Sequence, residues 1–526
     1  MELQIELIEQ WKSPTVLACR SMVGAVGRTL STLAALRGRG WRPKAVVLIG
    51  PPDHWAEAEI RKHWPEGLVV GLRPPDGETW TPDAIRRAAS SQSDQLDAIH
   101  DALSTPTPTD AAWIALDREV VWHPYTSLRD PDPPLPVIGA EAEFLHLADG
   151  RRLIDGISSW WTILHGHRHP PLVKALTDAI QEIDHVQFAG VTHPWAVKLA
   201  AELLATLDWT GGRVVYSDNG STAVEIALKL AYQFWRHRGE PGRTTFIGFE
   251  HGYHGDTFGA MSVSRDPLFF GAFEPLLFRA EILPLDAGRL SEYLSKHRGE
   301  VAGVIVEPLV QGAGGMRMHT ESELRELFKV ARSHDVLFIA DEVMTGLGRT
   351  GTFWAHQAAG IMPDLIASAK TLAGGMLPLA ATLASSRIVE AFDTDDRRRT
   401  FFHGHSFTAH PLACAVALAN LPLVKAALPE LPRRFEAFWR DSLGDLADRP
   451  DVREVRIRGT IAAVEFAGEA GYLADIGRTI RDRSIQSGVV LRPLGNVVYA
   501  MPPWGTSTES LRKVALSLRE RYAQTR

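Results

Sequence analysis

The chain has 526 residues, 45% of them hydrophobic and 23% charged, with Lys+Arg 56 against Asp+Glu 63 for a formal charge of −7. At roughly 150 residues per domain it holds about three or four domains or lobes, and it is long enough to fold without disulfides or metals. The acidic balance excludes nucleic acid and anionic membrane as main partners, because both require a basic field. Two cysteines, Cys19 and Cys414, make neither a disulfide framework nor a Cys-based metal site. Met1 to Glu6 carries acid where a targeting peptide carries Arg or Lys, and no apolar run approaches the ~18 residues of a membrane span. The expected location is the cytoplasm, with the mitochondrion as the alternative.

In chain order, Thr15 to Ala18, Ala45 to Ile49 and Leu68 to Leu72 read as short buried strands, and Thr29 to Arg37 has helical apolar spacing. Residues 1–80 therefore form a partial α/β fragment. Asp83 to Asp110 is rich in Ser, Asp, Gln, Thr and Pro, and Ser104 to Thr109 reads as extended, so residues 81–112 are expected to be a linker. Beyond it, strand-like runs at Val214–Tyr216, Thr245–Phe249, Gly303–Val306, Val336–Ala340, Leu365–Ser368 and Ala380–Ala384 alternate with helical stretches such as Ser221–Arg238 and Glu321–Ser333. That alternation implies a mostly parallel sheet covered on both faces. From about Pro411 the pattern shifts to helices with shorter strands, Ala462–Phe466 and Val497–Met501, as in a smaller α+β lobe.

Lys370 follows a buried apolar run and stands where open α/β sheets bind ligands. Desolvation there lowers an amine's pKa and makes it a nucleophile able to form a Schiff base; the plainer reading is a lysine snorkelling from a strand end. Asp341 likewise ends an apolar run. A lysine for the Schiff base and an aspartate for a pyridinium nitrogen are the arrangement of pyridoxal phosphate enzymes, although a strand-terminal Asp often only caps a turn. Ser217-Asp218-Asn219-Gly220-Ser221-Thr222 joins a strand to a long helix and offers hydroxyls and free N–H groups to a phosphate. Tyr253, on the glycine-flanked loop Glu250 to Asp256, can stack on a flat ring.

Other motifs carry less. Gly346 to Gly351 matches G-x-G-x-x-G, but five residues, 341 to 345, separate it from its strand, unlike a dinucleotide fingerprint. His165-Gly166-His167-Arg168-His169 fits no common zinc spacing, so no metal is expected. Neither a G-x-x-x-x-G-K-[ST] loop nor a G-x-S-x-G elbow occurs.

Taken together, residues from about Trp113 onward resemble the class III aminotransferases of fold type I. The matching segments are Trp122 to Ser127, Asp155 to Trp161, Tyr253 to Gly259, Glu307 to Met316, Asp341-Glu342 with Gly346 to Gly351, Phe402 to Gly404 and Leu491 to Gly495. The Trp160-Trp161 pair, the His-Pro-Tyr-Thr-Ser segment and Val310 before Gln311 resemble the branch of that class that aminates 8-amino-7-oxononanoate in biotin biosynthesis. The resemblance implies a large domain built on a seven-stranded, mostly parallel sheet (residues 191–410). It also implies a small domain from residues 113–190 and 411–526.

The resemblance further implies pyridoxal 5′-phosphate as cofactor, 8-amino-7-oxononanoate as acceptor, S-adenosyl-L-methionine as amino donor with lysine as the alternative, and a homodimer. Lys370 would hold the cofactor and shuttle the proton, and Asp341 would pair with the pyridine nitrogen. Gly220 and Ser221 would bind the phosphate, and Tyr253 would stack on the ring. Tyr125, Trp160, Trp161, Gly404 and Arg492 would shape the substrate pocket, with Arg492 gripping a carboxylate and Glu307 a further candidate. His405 and Ser406 would complete the phosphate site of the neighbouring subunit; His405 stands where the family often has proline. Taken alone, Trp160 and Trp161 also read as core filler and Arg492 as an interface ion-pair residue.

Residues 1–80 resemble the second half of dethiobiotin synthetase. Ile49 and Gly27 replace family asparagines and no phosphate loop is present, so this fragment is expected neither to bind ATP productively nor to close a ureido ring. It would serve as a docking or dimer-supporting remnant. The alternatives to the biotin-pathway reaction are a class III aminotransferase for another ω-amino substrate and a non-catalytic scaffold.

Overall fold

A computed structural model describes residues 15–38, 43–65, 67–75, 81–104, 109–129, 132–207, 209–468 and 471–520. Met1 to Glu6 and the centre of the Ser104–Thr109 run lie outside the described residues. The chain divides into two compact units, Met1–Ile138 with His146–Arg151, and Gly139–Leu145 with Arg152–Arg526.

The first unit carries a parallel sheet of β1 (Val16–Arg20), β2 (Ala45–Ile49) and β3 (Leu68–Leu72), in that spatial order. Helices α1 (Ala25–Gly38) and α2 (His54–His63) connect them, and Leu33, Val46, Leu48, Ala56, Ile60, Trp64 and Val69 form the core. The expected linker is a correction. Residues 81–112 are largely helical, in α3 (Pro82–Ser90), α4 (Ser93–Ser104) and α5 (Thr109–Val120), and α5 runs straight through the expected boundary at 112. The polar composition conceals a helix start: Thr81 caps α3 by accepting from Ala84 N at 3.2 Å, Pro82 sits in the first turn and Asp83 faces the dipole. Gln92 then ties this helical stretch to the end of β3 through paired bonds with the Arg73 backbone, at 2.6 and 3.0 Å.

The second unit is organised by a seven-stranded sheet. Its strands in chain order are β4 (Arg213–Ser217), β5 (Thr245–Phe249), β6 (Ala280–Leu283), β7 (Val301–Val306), β8 (Leu337–Asp341), β9 (Leu365–Ser368) and β10 (Ala380–Ala384). The spatial order is β4-β10-β9-β8-β7-β5-β6, with only β10 antiparallel to its neighbours. Short, half-buried β6 escaped the sequence reading, since an edge strand with Glu281 inside it lacks the continuous apolar run of a central strand.

Side-chain alternation covers both faces. Ile305, Leu337, Ile339 and Leu365 pack with α6 (Gly220–His237) through Ala223, Ala227, Phe234 and Trp235. Val304, Val306 and Phe338 turn the other way, onto Leu290, Leu294, Leu324 and Leu327. The C-terminal part adds an antiparallel sheet of β11 (Val452–Arg458), β12 (Ile461–Phe466) and β13 (Val497–Ala500). Val489 and Val490 pair in parallel with Ile154 and Asp155, which brings the Asp155–Trp161 segment beside Arg492.

Helix α7 (Pro411–Ala427) buttresses the turn that follows Lys370. The Asn420 amide donates to the carbonyls of Thr371 and Leu372 at 2.8 and 3.0 Å, and its oxygen lies 2.7 Å from His165 Nε2. Burial lowers the His165 pKa to about 4, against the pull of the Asn420 bond, so the ring is neutral and donates. Among the described residues no single helix is long and apolar enough to cross a membrane. Replacing Asn420 by leucine strips two buried carbonyls and an imidazole N–H of their partner. It should lower stability by about 2–4 kcal/mol, read as a fall in the urea midpoint at unchanged slope.

Candidate active site

Six of the seven strands run the same way, so their carboxyl ends share one edge, and five of them deliver the site. Ser217–Ser221 follows β4, Glu250–Asp256 follows β5 and Glu307 follows β7. Asp341 ends β8, and Lys370 lies two residues past β9. Because Asp341 is in register with Ala367, the carboxylate and the lysine hang from adjacent strands.

Lys370 opens a one-turn 3₁₀ segment with φ 39, and its Nζ lies 5.0 Å from the Trp161 ring centre. Burial lowers the amine's pKa, against the pull of Asp341 and Glu307, which enlarges the fraction of free, nucleophilic amine near neutral pH. Asp341 is 4% exposed; one oxygen accepts from Val343 N at 3.1 Å and the other from His254 Nδ1 at 2.6 Å. Burial works against a charged His254, but the Asp341 bond and charge, with Glu307 behind them, outweigh it and raise its pKa. The His254 bond and the Val343 N–H together fix the orientation of the Asp341 carboxylate.

Glu307 accepts from Tyr253 N at 3.0 Å and from Gly312 N at 2.9 Å. Burial pushes its carboxyl up to about 7; His254 opposes that rise and Asp341 adds to it. Glu342, next to Asp341, is structural: it accepts from Thr345, from the backbone of Ala355 and His356, and from His356 Nδ1.

Asn219 caps α6 in a reciprocal box with Thr222, leaving the Gly220 and Ser221 N–H groups at the helix start. Loop Tyr253–Asp256 closes over this turn. Ser221 Oγ accepts from Asp256 N at 3.2 Å, and a Cβ on Gly255, whose φ is +130, would fall 2.1 Å from that hydroxyl. The Ser217 and Ser368 hydroxyls at the same sheet edge are buried without a protein partner. An amine of lowered pKa, a buried, hydrogen-bonded carboxylate on the adjacent strand, and a glycine-lined turn of N–H groups and hydroxyls fit pyridoxal phosphate.

On the open side, the Arg492 guanidinium stacks 4.1 Å above the Trp160 ring and donates to the Tyr472 hydroxyl at 3.3 Å. Trp161 is buried and donates through Nε1 to the Tyr499 hydroxyl at 2.9 Å. Tyr253 donates its hydroxyl to Asp256 at 2.9 Å and lies near-parallel to Phe270, with ring centres 6.2 Å apart. Residues 158–161 run with φ values of 52, 45, 64 and 73, a left-handed turn that costs about 1–2 kcal/mol per residue.

The structure thus gathers Lys370, Asp341, Glu307, Tyr253, Gly220, Ser221, Trp160, Trp161 and Arg492 into the second unit. His405 and Ser406 are there too, in a turn closed by the Thr408 hydroxyl, but neither hydrogen-bonds to Gly220 or Ser221; Gly404, before them, is exposed. Tyr125 belongs to the first unit, 42% exposed with φ 57. The roles of His254, Tyr472 and Tyr499 were not legible in the sequence, since each partner lies 20 or more residues away.

The class-III aminotransferase family model matches residues 126–520, and the chain belongs to that family. More particularly, it is 44% identical over 409 residues to the adenosylmethionine-8-amino-7-oxononanoate aminotransferase of Synechococcus elongatus, covering 75% of this chain and 96% of that one. It is 40% identical over 425 residues to the Geobacter sulfurreducens protein of the same name, covering 75% and 94%. The solved structure of the Methanocaldococcus jannaschii aminotransferase of that name superposes with a TM-score of 0.74 at 30% identity, over 78% of this chain and 99% of that one. An amine transaminase from an uncultivated Pseudomonas species, in its PLP-bound form, gives 0.71 at 29% identity, over 76% and 97%. A family model described as an AAA domain matches residues 1–78.

Glu307 supplies a test of the buried charges. Its carboxyl is held near 7 in the fold against an ordinary value of 4.5, so the unfolded chain ionises first and stability falls between those two values, then levels off. Relative to Glu307→Gln, which does not titrate, the cofactor-free protein should lose up to about 3 kcal/mol across that window. Parallel melting curves from pH 4.5 to 8 measure the difference.

Proposed function

We propose that this chain transfers the amino group of S-adenosyl-L-methionine to 8-amino-7-oxononanoate, giving 7,8-diaminononanoate, with pyridoxal phosphate as cofactor. The observation that carries the reading is the Lys370 amine of lowered pKa beside the buried Asp341 carboxylate that His254 orients, in a chain whose relatives bear that reaction's name. Bound pyridoxal phosphate supplies a carbonyl carbon for amines and a protonated ring that draws electrons from the substrate carbon.

Lys370 would hold the cofactor and, when released from it, move the proton at the substrate carbon. Asp341 would keep the ring nitrogen protonated, Gly220 and Ser221 would bind the phosphate, and Tyr253 would cover the ring. Arg492, steadied by Trp160 and Tyr472, would present its fork to the substrate carboxylate. Trp160, Trp161, Gly404 and Tyr125 would shape the pocket for the chain between carboxylate and amine. The reading gives His405 and Ser406, as the family resemblance implies, to the phosphate site of a second copy, which would make the active form a homodimer. Residues 1–80 would be a remnant that supports assembly or docks a dethiobiotin synthetase activity without ATP chemistry of its own.

The test is product formation from 8-amino-7-oxononanoate with the donor varied: S-adenosyl-L-methionine should support it, while lysine alone should not. Lys370→Ala should abolish the visible absorbance of the bound cofactor and cut turnover by about 10³-fold. Arg492→Lys should raise KM for the acceptor by about 10-fold or more while sparing cofactor binding. Turnover with simple ω-amines but not with 8-amino-7-oxononanoate would move the assignment to another member of the family. ATP-dependent conversion of diaminononanoate to dethiobiotin by the chain would overturn the reading of residues 1–80.

A further inference from the structure

We propose that Asp155 is a positioning residue for the substrate pocket, acting through the left-handed turn that presents Trp160 and Trp161. The inference rests on the reading of those tryptophans as pocket walls. Asp155 ends its strand 1% exposed, and its side-chain bonds all go forward along the chain. One oxygen accepts from the backbone N–H groups of Ile157 and Ser159, at 3.3 and 2.9 Å; the other accepts from Ser159 Oγ at 2.7 Å and His167 Nε2 at 2.9 Å. The Ile157 and Ser159 groups are donors at the amino end of the turn Ser158–Trp161, whose four residues all have positive φ.

At the far end stands the opposite charge. Arg349 is fully buried and reaches the carbonyls of Trp161, Ile163 and Pro502 at 3.4, 3.3 and 3.5 Å. Burial lowers its pKa to about 9 and Asp155 counteracts that fall. A carboxylate on the N–H end and a guanidinium on the carbonyl end match the dipole of a helical turn of either hand.

The handedness has a consequence for the pocket. In this turn consecutive side chains diverge, so that Trp160 lies under Arg492 at 4.1 Å and Trp161 under Lys370 Nζ at 5.0 Å. A right-handed turn of the same residues would point them elsewhere. None of the four residues is glycine, so the chain itself resists the conformation, and an anchor for its first N–H groups is required. Asp155 supplies that anchor, and Val490, its parallel partner, stands two residues before Arg492. One strand pairing therefore sets the anchor of the turn and the arginine together.

The experiment uses the full-length, cofactor-loaded protein with Asp155→Asn, Asp155→Ala, and Asp155→Ala combined with Ser159→Gly. Asp155→Ala should raise KM for 8-amino-7-oxononanoate at least 10-fold and leave the visible band of the bound cofactor in place. Asp155→Asn, which keeps an acceptor for the two N–H groups, should fall between it and the native protein. Adding Ser159→Gly should restore part of the loss, because glycine adopts φ near 45° without steric cost. A KM for Asp155→Ala within twofold of native, or no recovery with glycine, would overturn the proposal. Should Asp155→Ala fail to fold, the decision passes to Asp155→Asn: a KM raised threefold or more together with an altered near-ultraviolet tryptophan signal supports the proposal, and the absence of both overturns it. Trp160→Ala separates the two layers. If it leaves KM unchanged, the pocket reading fails, and the near-ultraviolet signal of Asp155→Asn then decides the turn alone.

Discussion

Lys370, Asp341, Glu307 and His254 hang from one edge of one sheet, and that edge exists because six strands run in the same direction. Parallel strands must be joined by crossovers, and each crossover begins with a loop at the carboxyl end. Five such loops bring together a lysine, an aspartate, a glutamate, a histidine and a phosphate-sized turn that are scattered over more than 150 residues of sequence. Helices cover both faces of the sheet, so the edge is dry enough for the charges to act strongly on one another.

Dry charges must be balanced. Asp341 and Glu307 share one neighbourhood with His254 and Lys370, and the outcome is uneven: His254, bonded to Asp341, is pushed toward its charged form, Glu307 toward neutrality and Lys370 toward the free amine. That division sets a hydrogen-bonded carboxylate and a buried amine of lowered pKa on adjacent strands. A second balanced pair, Asp155 and Arg349, braces a backbone segment that is unfavourable on its own. Strain of this kind persists only where the surroundings over-determine it, and here they do so beside Lys370.

The first unit is small and its sheet has three strands. Its core of seven buried side chains is modest for a domain. The three helices between residues 82 and 120 show how composition misleads, since Pro and Thr mark loops in general but, as N1 and N-cap, start helices. The family match from residue 126 onward separates the aminotransferase from this N-terminal region without assigning the latter a chemistry.

Most central strands, the long helices and the lysine–aspartate pair were legible in the sequence, because buried parallel strands are continuous apolar runs and each reactive residue sits at the end of one. The motif strings gave the cofactor class for the same reason: short loops at strand ends keep their residues adjacent in the chain. Edge strand β6 and the helices at 82–120 were not legible, since half-buried and polar segments carry weak periodicity. The His254–Asp341 bond, the Arg492–Trp160 stack, the raised Glu307 pKa and the Asp155–Arg349 brace were decided only in three dimensions. Each depends on residues 20 to 340 positions apart meeting in a low-dielectric interior, where distance and desolvation, not residue type, fix charge and orientation.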